Sequence, residues 1–217
     1  MPTAYLWIRW LAQSPRQIFS ATLFSVLFLS SCVAPDRSHH IVVSARDQKL
    51  VLLEHGKVVA IFPVSTSKFG LGDAPGTCRT PLGELEVAQK VGDAAPAGAV
   101  FKDRRRTGEV IPVNAPGRDP IVTRIIWLRG LEPQNANAYS RTIYIHGTPE
   151  ERNIGRPASY GCIRMRSADV IALYDLVGRG AQVSIVDIPL EQAVPAVNIG
   201  RTAEYHPGGG LTLPAVP

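Results

Sequence analysis

Between Ile41 and Val186 glycine, proline and asparagine cut the chain into short stretches, and the stretches between the cuts are rich in β-branched residues. With 19 Gly and 18 Pro among 217 residues, a sustained helical repeat is interrupted everywhere, so coiled coils and long-helix folds are excluded. The runs Ile41 to Ser44, Leu50 to Leu53 and Val58 to Val64, with His55-Gly56-Lys57 as a turn, predict a hairpin or meander. Further runs at Glu84 to Val87, Ile121 to Leu128, Thr142 to Ile145 and Ala181 to Val186 extend this to a mainly β domain, an antiparallel or mixed sandwich. One helix is predicted. Ser167 caps it, Asp169 meets the positive dipole end, and Val170, Ile171, Leu173, Tyr174 and Val177 form its apolar face before Gly178 and Gly180 end it. The stretch from Gly92 to Pro120 is too long for a simple connection and reads as a functional insertion or lid.

The N-terminus reads as an address. Arg9 and Arg16 are the only charges before Asp36, and an apolar block from Ile18 to Leu29 follows them, the shape of a secretory signal. Leu29-Ser30-Ser31-Cys32 resembles a bacterial lipoprotein processing box, in which two small residues fit the peptidase and Cys32 is acylated as the mature N-terminus. The competing reading is an uncleaved anchor, against which Ser30, Ser31 and Pro35 weigh. Both readings export the domain and hold it at a membrane; by resemblance to lipoprotein sorting, Val33 after the cysteine favours the outer membrane. The expected division is a signal peptide at 1–31, a tether at 32–40, a catalytic domain at 41–187 and a Pro/Gly-rich, mostly extended tail at 188–217. Cleavage removes Arg9 and Arg16 and lowers the formal charge from +5 to +3, which makes nucleic acid an unsuitable partner.

The chemistry concentrates near residue 150. After the strand Thr142 to Ile145 comes His146-Gly147-Thr148, then a loop, then Ser159-Tyr160-Gly161-Cys162-Ile163-Arg164-Met165 leading into the helix. A nucleophilic thiol needs a base, a group that fixes the tautomer of that base, and N–H donors for the oxyanion. Cys162 is the candidate nucleophile, His146 the base, and the backbone carbonyl of Gly147 the orienter of the ring. Gly161, without a side chain, lets a carbonyl substrate approach the backbone amides around Cys162.

A His-Gly pair followed at this distance by Ser-x-Gly-Cys, an apolar residue and Arg resembles the catalytic domain of the bacterial L,D-transpeptidases. The resemblance runs from Ile41 to Val186 and includes Asp47-Gln48, Val64-Ser65-Thr66 and Thr80-Pro81-Leu82-Gly83. It implies a β-sandwich of mixed sheets with one short helix after the catalytic cysteine, and a metal-free, cofactor-free acyl transfer on peptidoglycan stem peptides. Cys162 attacks the carbonyl of the third residue, a diamino acid, the terminal D-alanine leaves, and the amine of a second stem resolves the thioester. The chain departs from the family at Tyr160, which stands where a second histidine is usual; its backbone N–H still serves an oxyanion hole, and its phenol is a hydrogen-bond donor. Tyr160, Gly161, Ser159 and Arg164 are expected to bind oxyanion or substrate, Ser159 chiefly holding the loop by hydrogen bonds and Arg164 acting by a bidentate fork to a carboxylate or else as a structural arginine paired with the loop.

Two other readings share these residues. Water in place of the amine gives an L,D-carboxypeptidase, and a permanent Cys78/Cys162 disulfide gives a non-catalytic wall-binding lipoprotein. Cys78, just before the Thr80-Pro81 turn, also suits a reversible redox partner of Cys162. Arg104, Arg105 and Arg106 read as a solvated loop face, with wall binding as the minority view. His39 and His40, in the tether and without carboxylate or thiolate at ligand spacing, do not read as a zinc site.

Overall fold

The computed structural model describes residues 34–195. The expected signal at 1–31, Cys32 and the chain beyond residue 195 lie outside the described residues. Strands β1 (His39–Ser44), β2 (Lys49–Glu54) and β3 (Lys57–Pro63) form an antiparallel meander whose second turn places His55 and Gly56 at positive φ. β1 also pairs in parallel with β10 (Gln182–Val186), bringing the two ends of the domain side by side. Ile41 and Val43 face one apolar cluster and Val42 another, so this central strand is buried on both faces and its sequence does not alternate.

From β10 the sheet continues through β4 (Gly83–Val91) to β7 (Ile121–Gly130), the longest strand. β7 also pairs with β8 (Tyr144–Gly147), and β9 (Ile163–Met165) adds to β8 in parallel. Ser65, just past β3, exchanges two backbone hydrogen bonds of 2.9 Å with Arg164 of β9, so the far ends of the sheet meet. Leu50, Leu52 and Phe62 from one end pack with Ile126, Ile145, Ile163 and Met165 from the other, and with helix α1 (Ser167–Leu176). The expected sandwich is thus one mixed, ten-stranded network folded over its own core.

Ser167 does not cap α1. It is the first helical residue; its N–H donates to the Glu151 carboxylate at 2.8 Å, and its hydroxyl lies 2.8 Å from Thr123 Oγ1 inside the protein. A carboxylate distant from the helix in sequence therefore satisfies the end that a local side chain was expected to satisfy. At the other end Lys90 Nζ donates to the carbonyls of Tyr174 and Val177 at 2.7 Å, placing a cation on the negative pole.

Two expected boundaries move. His39 and His40 are paired with Glu54 and Leu53 in β1 rather than standing in a tether, and Asp36 is already tied to the domain by hydrogen bonds with Gly178 and Arg179. Burial alone would raise the Asp36 pKa, but hydrogen bonds from Gly178, His39 and Ser38 outweigh it and bring it down to about 2. Past Val186, Leu190–Ala193 forms a short helix, α2, whose N-terminal N–H donates to Asp47 at 2.6 Å while Leu190 and Val194 cover Val42, Val51 and Leu53. The tail reading therefore fails for 188–195, where two apolar side chains have a surface to bury. Within Gly92 to Pro120 lies a hairpin, β5 (Ala99–Lys102) and β6 (Arg105–Val110). Its turn residues, Asp103 and Arg104, have φ of 50° and 63°, the left-handed pair that a two-residue type I′ turn requires.

Candidate active site

The parallel pair β8–β9 positions the chemistry. His146 is in register with Arg164, and Cys162 precedes Arg164 by two residues, so His146, Arg164 and Cys162 share one face of the pleat. Ile145, Ile163 and Met165 point the other way into the main core. Strand alternation thus separates an apolar face that anchors the pair from a polar face that carries the candidate catalytic groups. Ile125, Trp127 and Tyr144 lie on the reactive side, and Cys162 packs against their cluster together with Phe101 of β5.

His146 is 4% exposed and its Nδ1 lies 2.8 Å from the carbonyl oxygen of Gly147. A carbonyl only accepts, so the proton resides on Nδ1 and Nε2 keeps its lone pair. Burial pushes the imidazole pKa down to about 4; the Gly147 hydrogen bond opposes this and the positive charge of Arg164 adds to it. Cys162 is shifted the opposite way, to about 11. Burial dominates, and a hydrogen bond from the Tyr144 backbone and the charges of Arg164 and Arg141 only partly offset it. The thiol points to the carbonyl of Thr142 at 3.5 Å. At rest the two groups are therefore neutral thiol and neutral imidazole, and ionisation has to accompany substrate binding. Cys78 and Cys162 are both free thiols.

The loop before the cysteine is braced from within. Ser159 is fully buried; its hydroxyl donates to Cys162 O at 2.5 Å and accepts from Gly161 N–H at 3.2 Å. The Ser159 hydroxyl is thus occupied within the loop that carries Cys162. Gly161 has φ of +123°, and a Cβ there would meet Arg79 O, Cys78 O and the Ile143 side chain at 3.3–3.5 Å, so both backbone conformation and close approach call for glycine. Thr80 ties in this neighbouring segment, its hydroxyl donating to Gly161 O at 2.9 Å. Tyr160 is 59% exposed, with its phenol oxygen 3.0 Å from Lys68 Nζ and its ring 5.6 Å from that of Phe69.

Arg164 is 7% exposed, and both terminal nitrogens are engaged: Nη2 pairs with Asp119 at 2.6 Å and Nη1 donates to Ala158 O at 3.2 Å. Of the two roles open to it in the sequence, the structure displays the pairing with a loop carboxylate. Sequence reasoning missed Arg141. Its guanidinium pairs with Asp73 at 2.6 Å and donates to the carbonyls of Gly72 and Arg79, clamping segment 72–79 beside the residue whose carbonyl receives the thiol. No local pattern announces this clamp, since Arg141 and Asp73 lie far apart in the chain. Arg141→Met is expected to destabilise the domain by about 3–5 kcal/mol, because it strands a buried carboxylate. Urea unfolding checks this, and adding Asp73→Asn to Arg141→Met should recover part of the loss.

A family model of the L,D-transpeptidase catalytic domain, YkuD, matches residues 38–185. The chain belongs to this family. It is 26% identical over 179 residues to the probable L,D-transpeptidase YbiS of Escherichia coli strain K12, covering 80% of this chain and 53% of that protein. It is 28% identical over 171 residues to the probable L,D-transpeptidase YcfS of the same strain, covering 76% and 49%. The putative L,D-transpeptidase YqjB of Bacillus subtilis is 28% identical over 148 residues, covering 68% and 71%. The chain thus spans about half the length of the Escherichia coli relatives it matches. Among solved structures, L,D-transpeptidase 3 from Mycobacterium tuberculosis aligns with a TM-score of 0.46 at 18% identity, covering 69% of this chain and 61% of that one.

Proposed function

We propose that this chain is an L,D-transpeptidase of the cell envelope, acting on peptidoglycan stem peptides through a thioester on Cys162. The observation that carries the reading is the placement of Cys162 and a tautomer-fixed His146 on one face of β8–β9. The Cys162 thiol passes its proton to His146 Nε2 as the sulfur attacks the carbonyl of the third stem residue. The backbone N–H groups of Tyr160 and Cys162 are the donors we assign to the oxyanion, since that of Gly161 is held by Ser159. As the intermediate collapses, the bond to the terminal D-alanine breaks and His146 returns the proton to the departing amine. The amine of a second stem then attacks the thioester, His146 takes its proton, and the thiol is restored. Arg164 acts as a positioning group that couples β9 to Asp119.

Export and acylation at Cys32 complete this reading; the processing box lies outside the described residues. Incubating the enzyme with muropeptides and analysing the fragments tests it: L,D-linked dimers support transpeptidation. Trimmed tripeptides without dimers would assign the same site to an L,D-carboxypeptidase.

A further inference from the structure

One row of side chains connects the thiol to a basic groove. Gln89 is in register with Trp127 and Trp127 with Tyr144, and the β8–β9 register carried one place further sets Cys162 beside Tyr144. At roughly 4.8 Å between strands, the row Cys162, Tyr144, Trp127, Gln89 is about 14 Å long. Arg104 from the β5–β6 turn lies over it. Its guanidinium carbon is 4.7 Å from the centre of the Trp127 ring system, its Nη1 donates to the Tyr144 hydroxyl at 3.4 Å, and Trp127 stacks on Tyr139 at 4.1 Å. Around the Gln89 end opens a groove of about 650 Å³ lined by Gln89, Lys102, Asp103, Arg104, Arg105 and Arg106, among others.

The charges in this groove are unbalanced. Four cations face Asp103 alone, and among the described residues none of the four takes part in an ion pair. The two arginines whose charge reaches the thiol, Arg164 and Arg141, are instead each neutralised by an aspartate. A substrate carboxylate approaching this face therefore meets its free positive charge in the hairpin groove and not at Arg164. β6 is also an edge strand, and charge on an edge hinders unwanted strand pairing. That purpose is served by either sign, and it does not call for a concave cluster of one sign joined to the reactive cysteine by a continuous row.

We propose that this groove is an anion subsite that holds carboxylates of an extended peptide whose reacting group lies at Cys162. Trp127, beneath Arg104, is two strands from Cys162, about 10 Å, and the far end about 14 Å; an extended chain advances about 3.3 Å per residue, so the subsite reads carboxylates roughly three to four residues from the reaction centre. Arg104, fixed on Trp127, offers a preorganised planar fork, and Lys102, Arg105 and Arg106 supply screened attraction around it. The inference rests on the reading of Cys162 as the acylated centre.

The test uses the full chain carrying Cys162→Ala, with a cross-linked dimer of two stem tetrapeptides, whose second stem carries carboxylates beyond the reacting third residue of the first, in free-carboxylate and amidated forms as the probes and calorimetry as the readout. The carboxylate form is expected to bind at least tenfold more tightly, and 0.5 M salt should erase most of the difference. Adding Arg105→Glu and Arg106→Glu, on a fully exposed strand, should bring the two forms within twofold of each other, and Arg105→Lys with Arg106→Lys should retain the preference. Equal binding of both forms, or a preference that survives charge reversal, overturns the subsite. So does an outcome in which phosphatidylglycerol vesicles bind in a charge-reversal-sensitive manner while peptide binding does not change; the surface then belongs to a membrane. Acylation of the cysteine-containing enzyme is measured separately. If it fails while carboxylate-dependent binding persists, the transpeptidase reading falls and the subsite stands.

Discussion

Cys162→Ala is expected to lower turnover by about four orders of magnitude or more, with no acyl-enzyme formed, while the folded domain persists. The size of the effect follows from chemistry in which every step forms or breaks a bond to this sulfur. Persistence of the fold follows from packing. Cys162 lies just outside β9, part-exposed at the margin of a cluster held by Phe101, Ile125, Trp127 and Tyr144, and it is not a member of the main core. Circular dichroism and a urea midpoint close to that of the unaltered protein should accompany the lost activity. The substitution also removes a pH dependence. The thiol pKa is raised from 9.0 to about 11 on folding, so its contribution to stability is full below pH 9 and fades as pH rises toward 11. Cys162→Ala should flatten the stability curve in that window.

His146→Gln should cost about 10²–10⁴ in kcat/KM, the usual worth of a positioned general base. Its pH behaviour separates this role from a structural one. Folding lowers the imidazole pKa from 6.5 to about 4, so between these values the unfolded chain binds the extra proton. Stability is full above pH 6.5 and is lost as pH falls toward 4, by up to about 3 kcal/mol from this group. His40, whose pKa burial also lowers, adds to the same slope. Thermal unfolding from pH 4 to 7 should therefore show a weaker acid loss in His146→Gln, with the His40 share remaining. For the unaltered enzyme, kcat/KM should bend near pH 4 and pH 11 rather than near 6.5 and 9, because the free enzyme carries both groups neutral between those limits.

The parts of this fold that the sequence made legible are those whose periodicity and punctuation agree. The meander from β1 to β3 and the strands at β4, β7, β8 and β10 follow from β-branched runs bounded by glycine and asparagine. The hairpin β5–β6 stayed hidden because Arg105 to Val110 is exposed along its whole length and has no apolar alternation to read. β9 stayed hidden because it is three residues long and is defined by its neighbours in β8 and at Ser65. Ser167 satisfied the local rule for a cap, yet a tertiary partner, Glu151, took the position. The same division holds at the site. The residues of the His-Gly and Ser-x-Gly-Cys segments were legible because a short motif holds them together. Arg141, Asp73 and Asp119 were not, since each acts across a distance in sequence that only the closed sheet makes short.

The resting pair also changes how reactivity should be read. A thiol at about 11 is nearly all protonated at neutral pH, so a small alkylating agent should react slowly, whereas a bound acyl donor brings its own oxyanion contacts and draws the proton to His146. The most direct measurement is intact mass after incubation with a carbapenem, a strained cyclic amide that acylates the thiol in this family and retains its opened ring on the enzyme. One adduct equal to the mass of the drug is expected, mapped by digestion to the peptide bearing Cys162 and missing from Cys162→Ala. An unmodified chain, or an adduct that survives in Cys162→Ala, would contradict the thioester on Cys162.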